Sequence, residues 1–347
     1  MGLNKESGIR IGKGKPGPRN LITDVPGVRV GHVTLRDGKD INTGVTAILP
    51  HGGNLFRDKV MAASAVINGF GKTMGLVQVE ELGTIETPII MTNTLSIGTA
   101  ATALIRYMLA QNPEIGLSTG TVNPLVCECN DGRLNDIRGL HVQEEHIFQA
   151  LENASETFEE GAVGSGTGMC CLGLKGGIGS ASRVVALDGK DYTIGALVMS
   201  NFGSAGNLTV DGRHLGRDIK AMLDGKKKDQ GSIIMLLATD IPLSERQLKR
   251  ICRRAGVGLA RTGSFYGNGS GDIAIAFTTA NRVPHFGKGA FVSMQMMDDD
   301  KIDPLLEMSA EAVEEAIISS LWHAETLTGR AGRVQHGLRE CLAALQK

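Results

Sequence analysis

The pair Gly231-Ser232 stands where a lysine-rich run, Lys226-Lys227-Lys228-Asp229-Gln230, enters the apolar stretch Ile233-Ile234-Met235-Leu236-Leu237. A serine at the mouth of a buried strand, preceded by the one residue without a Cβ, can attack the Gly231 carbonyl and become a new N-terminus. Its freed amine is then a base beside its own hydroxyl, the N-terminal-nucleophile variant of serine chemistry. On its own, a Gly-Ser pair ahead of a strand is usually a loop ending. Ser270 and Asp272, in Gly267-Asn268-Gly269-Ser270-Gly271-Asp272 before Ile273-Ala274-Ile275-Ala276-Phe277, lie two apart at a strand entrance. The pleat points them the same way, so they can act on one site. Local pattern favours the plainer reading, a glycine-rich turn with Asp272 as turn former. Asn201, ending the run from Thr193, carries an amide suited to an oxyanion, or serves as a strand-end cap.

Other candidates are weaker. Gly164-Ser165-Gly166-Thr167-Gly168 has neither Walker spacing nor a GxGxxG after a strand, so close backbone packing is its expected role. His141-Val142-Gln143-Glu144-Glu145-His146 resembles an inverted zincin motif with one residue too many. In a helix, the i to i+5 separation would set the two histidines roughly 140° apart. No metal site is expected there. His32, His51, His214, His285, His323 and His336 have no partner at a recognisable spacing, so a Ser-His-Asp triad is not assignable.

These residues need a frame. Strand-like runs occur at Val45–Leu49, Pro88–Thr92, Arg183–Leu187, Thr193–Asn201, Ile233–Thr239 and Ile273–Thr278, several of them apolar on both faces as buried strands are. Helical patterns span Thr99–Gln111, Glu144–Asn153 and Glu245–Ala260, the last with Ser244 and Gln247 as a capping box and Leu248, Ile251, Cys252, Ala255 and Leu259 at helical spacing. A final helix is expected from Pro304 towards Thr328, amphipathic like the rest, with Val313, Ile317, Leu321 and Ala324 inward and Gly329 as its stop. Leu215–Gln230 reads as a polar surface tether that would tolerate a cut. Sheets covered by such helices predict a layered α+β sandwich.

Composition narrows the class of molecule. The 347 residues carry a formal net charge of -1, which favours neither nucleic acid nor an anionic membrane as partner, so a small substrate is expected. Six cysteines, Cys127, Cys129, Cys170, Cys171, Cys252 and Cys341, form no CxxC pair and read as reduced core residues. Met1–Lys15 has no apolar signal core, Glu6 spoils a myristoylation motif, and no run approaches the ~20 apolar residues of a membrane span. A soluble, cytoplasmic protein is expected. Glycine, at 47 residues, is nearly double the average usage of about 7% and predicts tight turns and close layers.

Taken together, the motifs amount to a resemblance. Ile22-Thr23-Asp24-Val25-Pro26-Gly27-Val28-Arg29-Val30-Gly31-His32, Thr92-Asn93-Thr94-Leu95-Ser96-Ile97-Gly98, Leu134-Asn135-Asp136-Ile137, Val163–Met169, Lys175–Arg183, the Asn201 strand, Gly231-Ser232-Ile233-Ile234 and Ser270-Gly271-Asp272 follow in order from residue 22 to about 280. The chain resembles the family of L-aminopeptidase/D-esterases, D-aminopeptidases and β-peptidyl aminopeptidases, self-processing serine peptidases.

The resemblance implies a four-layer αββα sandwich of the N-terminal-nucleophile type. It implies one catalytic domain over residues 1–347, cut between Gly231 and Ser232 into an α chain, 1–231, and a β chain, 232–347. It makes Ser232 the nucleophile, Ser270 and Asp272 its supports, Asn201 the oxyanion donor and Glu128 the receiver of the substrate's free amino group. Where some members carry a tyrosine near the oxyanion, this chain has Asn130 and Arg133, so the resemblance leaves the acyl preference open. It implies no metal or other cofactor, and substrates that are short peptides, amides or esters with a free amine. Four αβ units are the implied assembly. Two alternatives stand beside it. One is an acyltransferase of the ornithine acetyltransferase type, which the serine at the cut counts against because that type uses threonine. The other is a nonenzymatic protein whose Gly164–Gly168 cradles a phosphate.

Overall fold

The computed structural model describes residues 7–223 and 231–345, in which the apolar runs settle into two stacked sheets. Ten strands build them: β1 (Arg29–Arg36), β2 (Asn42–Leu49), β3 (Asp58–Gly69), β4 (Thr84–Ile85), β5 (Ile89–Asn93), β6 (Leu125–Cys129), β7 (Gly177–Leu187), β8 (Lys190–Asn201), β9 (Gly231–Thr239) and β10 (Ser270–Pro284). One sheet runs β1-β2-β5-β6 and the other β4-β3-β10-β9-β8-β7. All neighbours are antiparallel except the pairs β5/β6 and β9/β10.

Alternation along the strands decides which layer each side chain joins. In β9, Ile234, Leu236 and Ala238 pack with Met91, Leu125 and Cys127 of the smaller sheet, while Ile233, Met235 and Leu237 face the opposite way. A strand apolar on both faces belongs in the middle of a sheet covered on both sides, and β9 sits there. Its outward face is covered by α3 (Glu245–Arg261) and α4 (Asp303–Trp322); the smaller sheet is covered by α1 (Ile97–Gln111) and α2 (Glu144–Glu152). The layers are therefore helix, sheet, sheet, helix, as expected.

Local chemistry sets the element ends. At the start of α3 the Gln247 amide donates to Ser244 Oγ, at 3.4 Å, and the Ser244 amide donates to Gln247 Oε1, at 3.2 Å, the reciprocal box read from the sequence. Glycine lets the layers touch: a Cβ on Gly179 of β7 would lie 1.9 Å from the Ala316 carbonyl oxygen of α4.

Three expectations need correction. α4 ends at Trp322, not near Thr328, with the His323 amide donating to Ser319 O at 3.0 Å. Gly329 does not stop it; it lies in a short strand, Leu327–Gly329, paired with Arg333–Gln335, and a Cβ there would meet Leu134 O at 2.4 Å. Nor is α4 amphipathic. Leu305–Leu321 is buried almost throughout, Glu311, Glu314 and Glu315 included, and Arg183 of β7 pairs with Glu311 at 3.2 Å and Glu315 at 2.6 Å. The proposed tether is in part a helix, Gly216–Met222, anchored by the fully buried Ile219; Lys226, Lys227, Lys228, Asp229 and Gln230 lie outside the described residues.

Candidate active site

Three strand termini of the larger sheet converge. Ser232 lies between Asn201, its antiparallel partner at the end of β8, and Gly271, its parallel partner near the start of β10. The pleat sends Ser232 the way of Ile234 and Leu236, towards the smaller sheet, and Asn201 the way of Leu197 and Met199, so both share one face. They open on a cavity of about 800 Å³, whose wall also holds Glu128, Asn130, Arg133 and Gly231. Ser232 Oγ accepts from the Gly271 amide at 3.3 Å.

Gly231 is held where no other residue fits comfortably. Its φ is +147°, and a Cβ would lie 1.8 Å from Asn201 O. The bond before Ser232 thus sits in a backbone conformation that side chains resist.

Asn201 is fixed at both ends of its amide. Oδ1 accepts from the Cys170 amide at 2.9 Å and Nδ2 donates to Asn130 O at 3.0 Å, so two main-chain partners of opposite kind set its orientation. One Nδ2 hydrogen is used; the second has no acceptor among the described residues, and the amide lines the cavity. The turn bearing Cys170 is in turn held by Lys175, fully buried, whose Nζ donates to the carbonyls of Gly166, Met169 and Gly176 at 3.1, 2.8 and 2.6 Å. Burial pulls the Lys175 ammonium down to about 7, while three carbonyl acceptors match its three donors.

Glu128 comes from β6, in parallel register with Thr92 of β5. Asn93 Oδ1 accepts from the Leu95 and Ser96 amides, turning the chain so that Thr94 donates to Glu128 Oε2. Oε1 accepts from the Lys72 amide at 2.9 Å. The carboxylate is buried and oriented at the cavity wall, an arrangement that can take an ammonium. Asn130 spends its side chain on the Gly132 amide and offers its carbonyl to Asn201, so its part in the site is main-chain. Arg133 Nε donates to Gln335 Oε1 at 2.9 Å.

Ser270 and Asp272 are joined, Ser270 Oγ donating to Asp272 Oδ1 at 2.7 Å, so the sequence pairing is realised. They do not line the cavity. In the register of β9 with β10 they alternate with Gly271 and Ile273 and so point with Ala274 to the helix side, the opposite face from the Ser232 hydroxyl. Ser270 pairs with Gly231, which places this duo beside the main chain of the Gly231–Ser232 bond.

Sequence reasoning missed Lys72, Thr94, Arg333 and Gln335, all at the cavity wall. Thr94 lay within a quoted motif; the other three carried no signal. The Gly164–Gly168 segment packs as expected. Four of its five amides are spent inside the protein, Gly164 N on Thr34 Oγ1, Ser165 N on Thr46 Oγ1, Gly166 N on Val163 O and Thr167 N on Gly164 O, and all five residues are buried, so the segment offers no open cradle for a phosphate. His146 Nδ1 accepts from the Gln143 amide at the start of α2, and His141 lies before that helix, 3.8 Å from Asp136. Among the described residues, no group of three or more His, Cys, Asp or Glu is placed to hold a metal, and no helix is long and apolar enough to cross a membrane. Among the described residues, Cys127, Cys129, Cys171, Cys252 and Cys341 are buried and form no disulfide; burial pushes the Cys127 thiol up to about 12 and keeps it inert.

The chain is similar to known proteins over most of its length. The profile of peptidase family S58 matches residues 20–335. A β-peptidyl aminopeptidase of Sphingosinicella microcystinivorans is 41% identical over 342 residues, covering 92% of this chain and 85% of the relative. A crystal structure of a Pyrococcus horikoshii OT3 protein superposes with a TM-score of 0.93 at 54% identity, covering 99% of this chain and 97% of that one. An L-aminopeptidase D-Ala-esterase/amidase of Ochrobactrum anthropi, described as a prototype serine aminopeptidase and a variant of the Ntn hydrolase fold, superposes with a TM-score of 0.89 at 38% identity, covering 97% and 96%.

Proposed function

Because this chain belongs to peptidase family S58, we propose that its serine is Ser232, unmasked by cleavage of its own Gly231–Ser232 bond. The protein is a serine aminopeptidase, a hydrolase of peptides, amides and esters with the Ntn-type fold. The observation that carries the assignment of its residues is the register Asn201–Ser232–Gly271 beside a cavity that also holds Glu128.

In maturation, Ser232 Oγ attacks the Gly231 carbonyl carbon, the C–N bond breaks, and the hydroxyl proton passes to the departing nitrogen. Water then opens the ester, leaving a Gly231 carboxylate and a Ser232 amine. The α chain is 1–231 and the β chain 232–347, two parts of one catalytic domain. In turnover, the amine, with a reference pKa of about 7.7–8.0, takes the proton from its own hydroxyl as Oγ attacks the substrate carbonyl. The second Nδ2 hydrogen of Asn201 meets the oxyanion, the leaving amine takes the proton, and water hydrolyses the acyl-enzyme.

Ser270 and Asp272 serve from the other face of the strand. With its own hydrogen committed to Asp272, Ser270 Oγ can only accept, so it holds the Ser232 amine with the lone pair turned towards the hydroxyl. Glu128 receives the substrate's ammonium, and the Asn130 carbonyl and Arg133 complete the acyl side. No step needs a metal. An assembly of four αβ units would cover exposed apolar side chains such as Val77, Leu117 and Phe291, and buried thiols such as Cys127 and Cys252 suit a reducing cytoplasm.

The test pairs a 4-nitroanilide of a free amino acid with its N-acetyl derivative. Wild type hydrolyses the first only, and Glu128→Gln loses about tenfold or more in kcat/KM on it. Equal rates on both, or an unaffected variant, would remove Glu128 from this role.

A further inference from the structure

The cavity is richer in cations than the aminopeptidase chemistry requires. Lys72, Arg133 and Arg333 line it against Glu128, and among the described residues no carboxylate pairs with any of the three. Lys72 is partly satisfied by the Phe70 ring, its Nζ lying 4.4 Å from the centroid. Arg133 is different, because it is held but not used. Gln335 takes its Nε at 2.9 Å while donating its own amide to Gly173 O, which fixes the guanidinium plane; Nη1 and Nη2 have no partner among the described residues. Arg333 Nη1 donates to Arg133 O at 3.2 Å, bringing a second guanidinium to the same wall.

A guanidinium oriented through Nε presents its two terminal nitrogens as a fork, the geometry that takes a carboxylate through two parallel hydrogen bonds. Orienting it beforehand reduces the entropy lost on binding. The supporting residues come from the short C-terminal strand Arg333–Gln335, so that hairpin forms a wall of the active site.

We infer that Arg133, set by Gln335 and joined by Arg333, receives a carboxylate of the substrate. The preferred substrates are then short peptides carrying both a free amine, for Glu128, and an anionic group. This rests on the peptidase reading above and narrows its substrate class. The anion has two possible sources, the terminal carboxylate of a short leaving group or an acidic side chain on the acylating residue.

Two substrate pairs separate them on the active, purified protein. Alanyl-alanine against alanyl-alaninamide tests the leaving group; the 4-nitroanilides of aspartate and asparagine test the acylating residue. In one pair the anionic member is favoured about tenfold or more in kcat/KM. Arg133→Met and Arg333→Met bring that ratio towards one, as does 0.5 M salt, about enough to shorten screening to a few ångströms. The ratio is the readout, whatever the absolute rates. Wild-type ratios near one in both pairs, or a preference that survives both variants, would overturn the inference. A protein that hydrolyses alanine 4-nitroanilide with flat ratios fails on this point alone, whereas one inert on every amide fails the peptidase reading and this inference together.

Discussion

At the scale of single residues, the site depends on positions where backbone and side chain cannot be exchanged. Gly231 shows it most clearly: replacing it with alanine puts a methyl group 1.8 Å from Asn201 O at a φ of +147°. Gly231→Ala is expected to remain one chain on a denaturing gel and to melt several degrees below wild type, since strain of this kind costs about 1–3 kcal/mol. Normal cutting in that variant would show that the glycine geometry is irrelevant to maturation. The sequence exposed Ser232, Asn201 and the Ser270–Asp272 pair because small polar residues at strand ends are conspicuous against apolar runs. It gave no role to Lys175, which merely opens a quoted motif, and no signal at all for Gln335. A lysine spent on three carbonyls and a glutamine that steadies an arginine look like ordinary surface residues until the chain is folded around them. Nor did it show that Ser270 and Asp272 approach from the opposite face to the nucleophile's hydroxyl, since that follows from pairing register.

At the scale of elements, β9 positions the chemistry and α4 braces it. The doubly apolar pattern of β9 identified a central strand, and the capping box of α3 marked a helix start; both are local signals. α4 gave a misleading one. It was expected to be amphipathic, yet three of its four glutamates, Glu311, Glu314 and Glu315, are buried where Arg183 and Arg261 reach them, a tertiary arrangement that no helical periodicity encodes. Arg183→Met would leave Glu311 and Glu315 without their cation in the interior. A loss of about 3–5 kcal/mol is expected in urea unfolding, because removing one member of a buried cluster strands the others. A loss under about 1 kcal/mol would mean the carboxylates are readily neutralised or solvated. The short helix Gly216–Met222 was likewise hidden, its single buried anchor, Ile219, being too little for a periodic pattern.

At the scale of the whole molecule, the cut would divide the larger sheet without opening it. The β chain would carry β9 and β10, and the α chain β4, β3, β8 and β7, so β9 stays paired to β8 and β10 to β3 across the divide. The fold as a whole also responds to acid through His32, whose ring hydrogen-bonds Thr46 at 2.9 Å and packs against Phe158. Burial lowers its pKa to about 4. Both folded and unfolded chains hold it neutral well above pH 6.5; between 6.5 and 4 only the unfolded chain takes up the proton, so stability falls as pH drops through that window. The loss is on the order of 3 kcal/mol, and a His32→Gln variant should show a flatter fall in melting temperature from pH 7 to 4. An identical slope in the variant would assign the acid sensitivity elsewhere. The central claim remains that one bond is broken by its own neighbour. It is tested most directly by N-terminal sequencing and denaturing mass measurement of active wild type beside Ser232→Ala. The expected result is a smaller wild-type fragment beginning Ser232-Ile233-Ile234 and an uncut, inactive variant, whereas full activity in an uncut wild-type chain would contradict it.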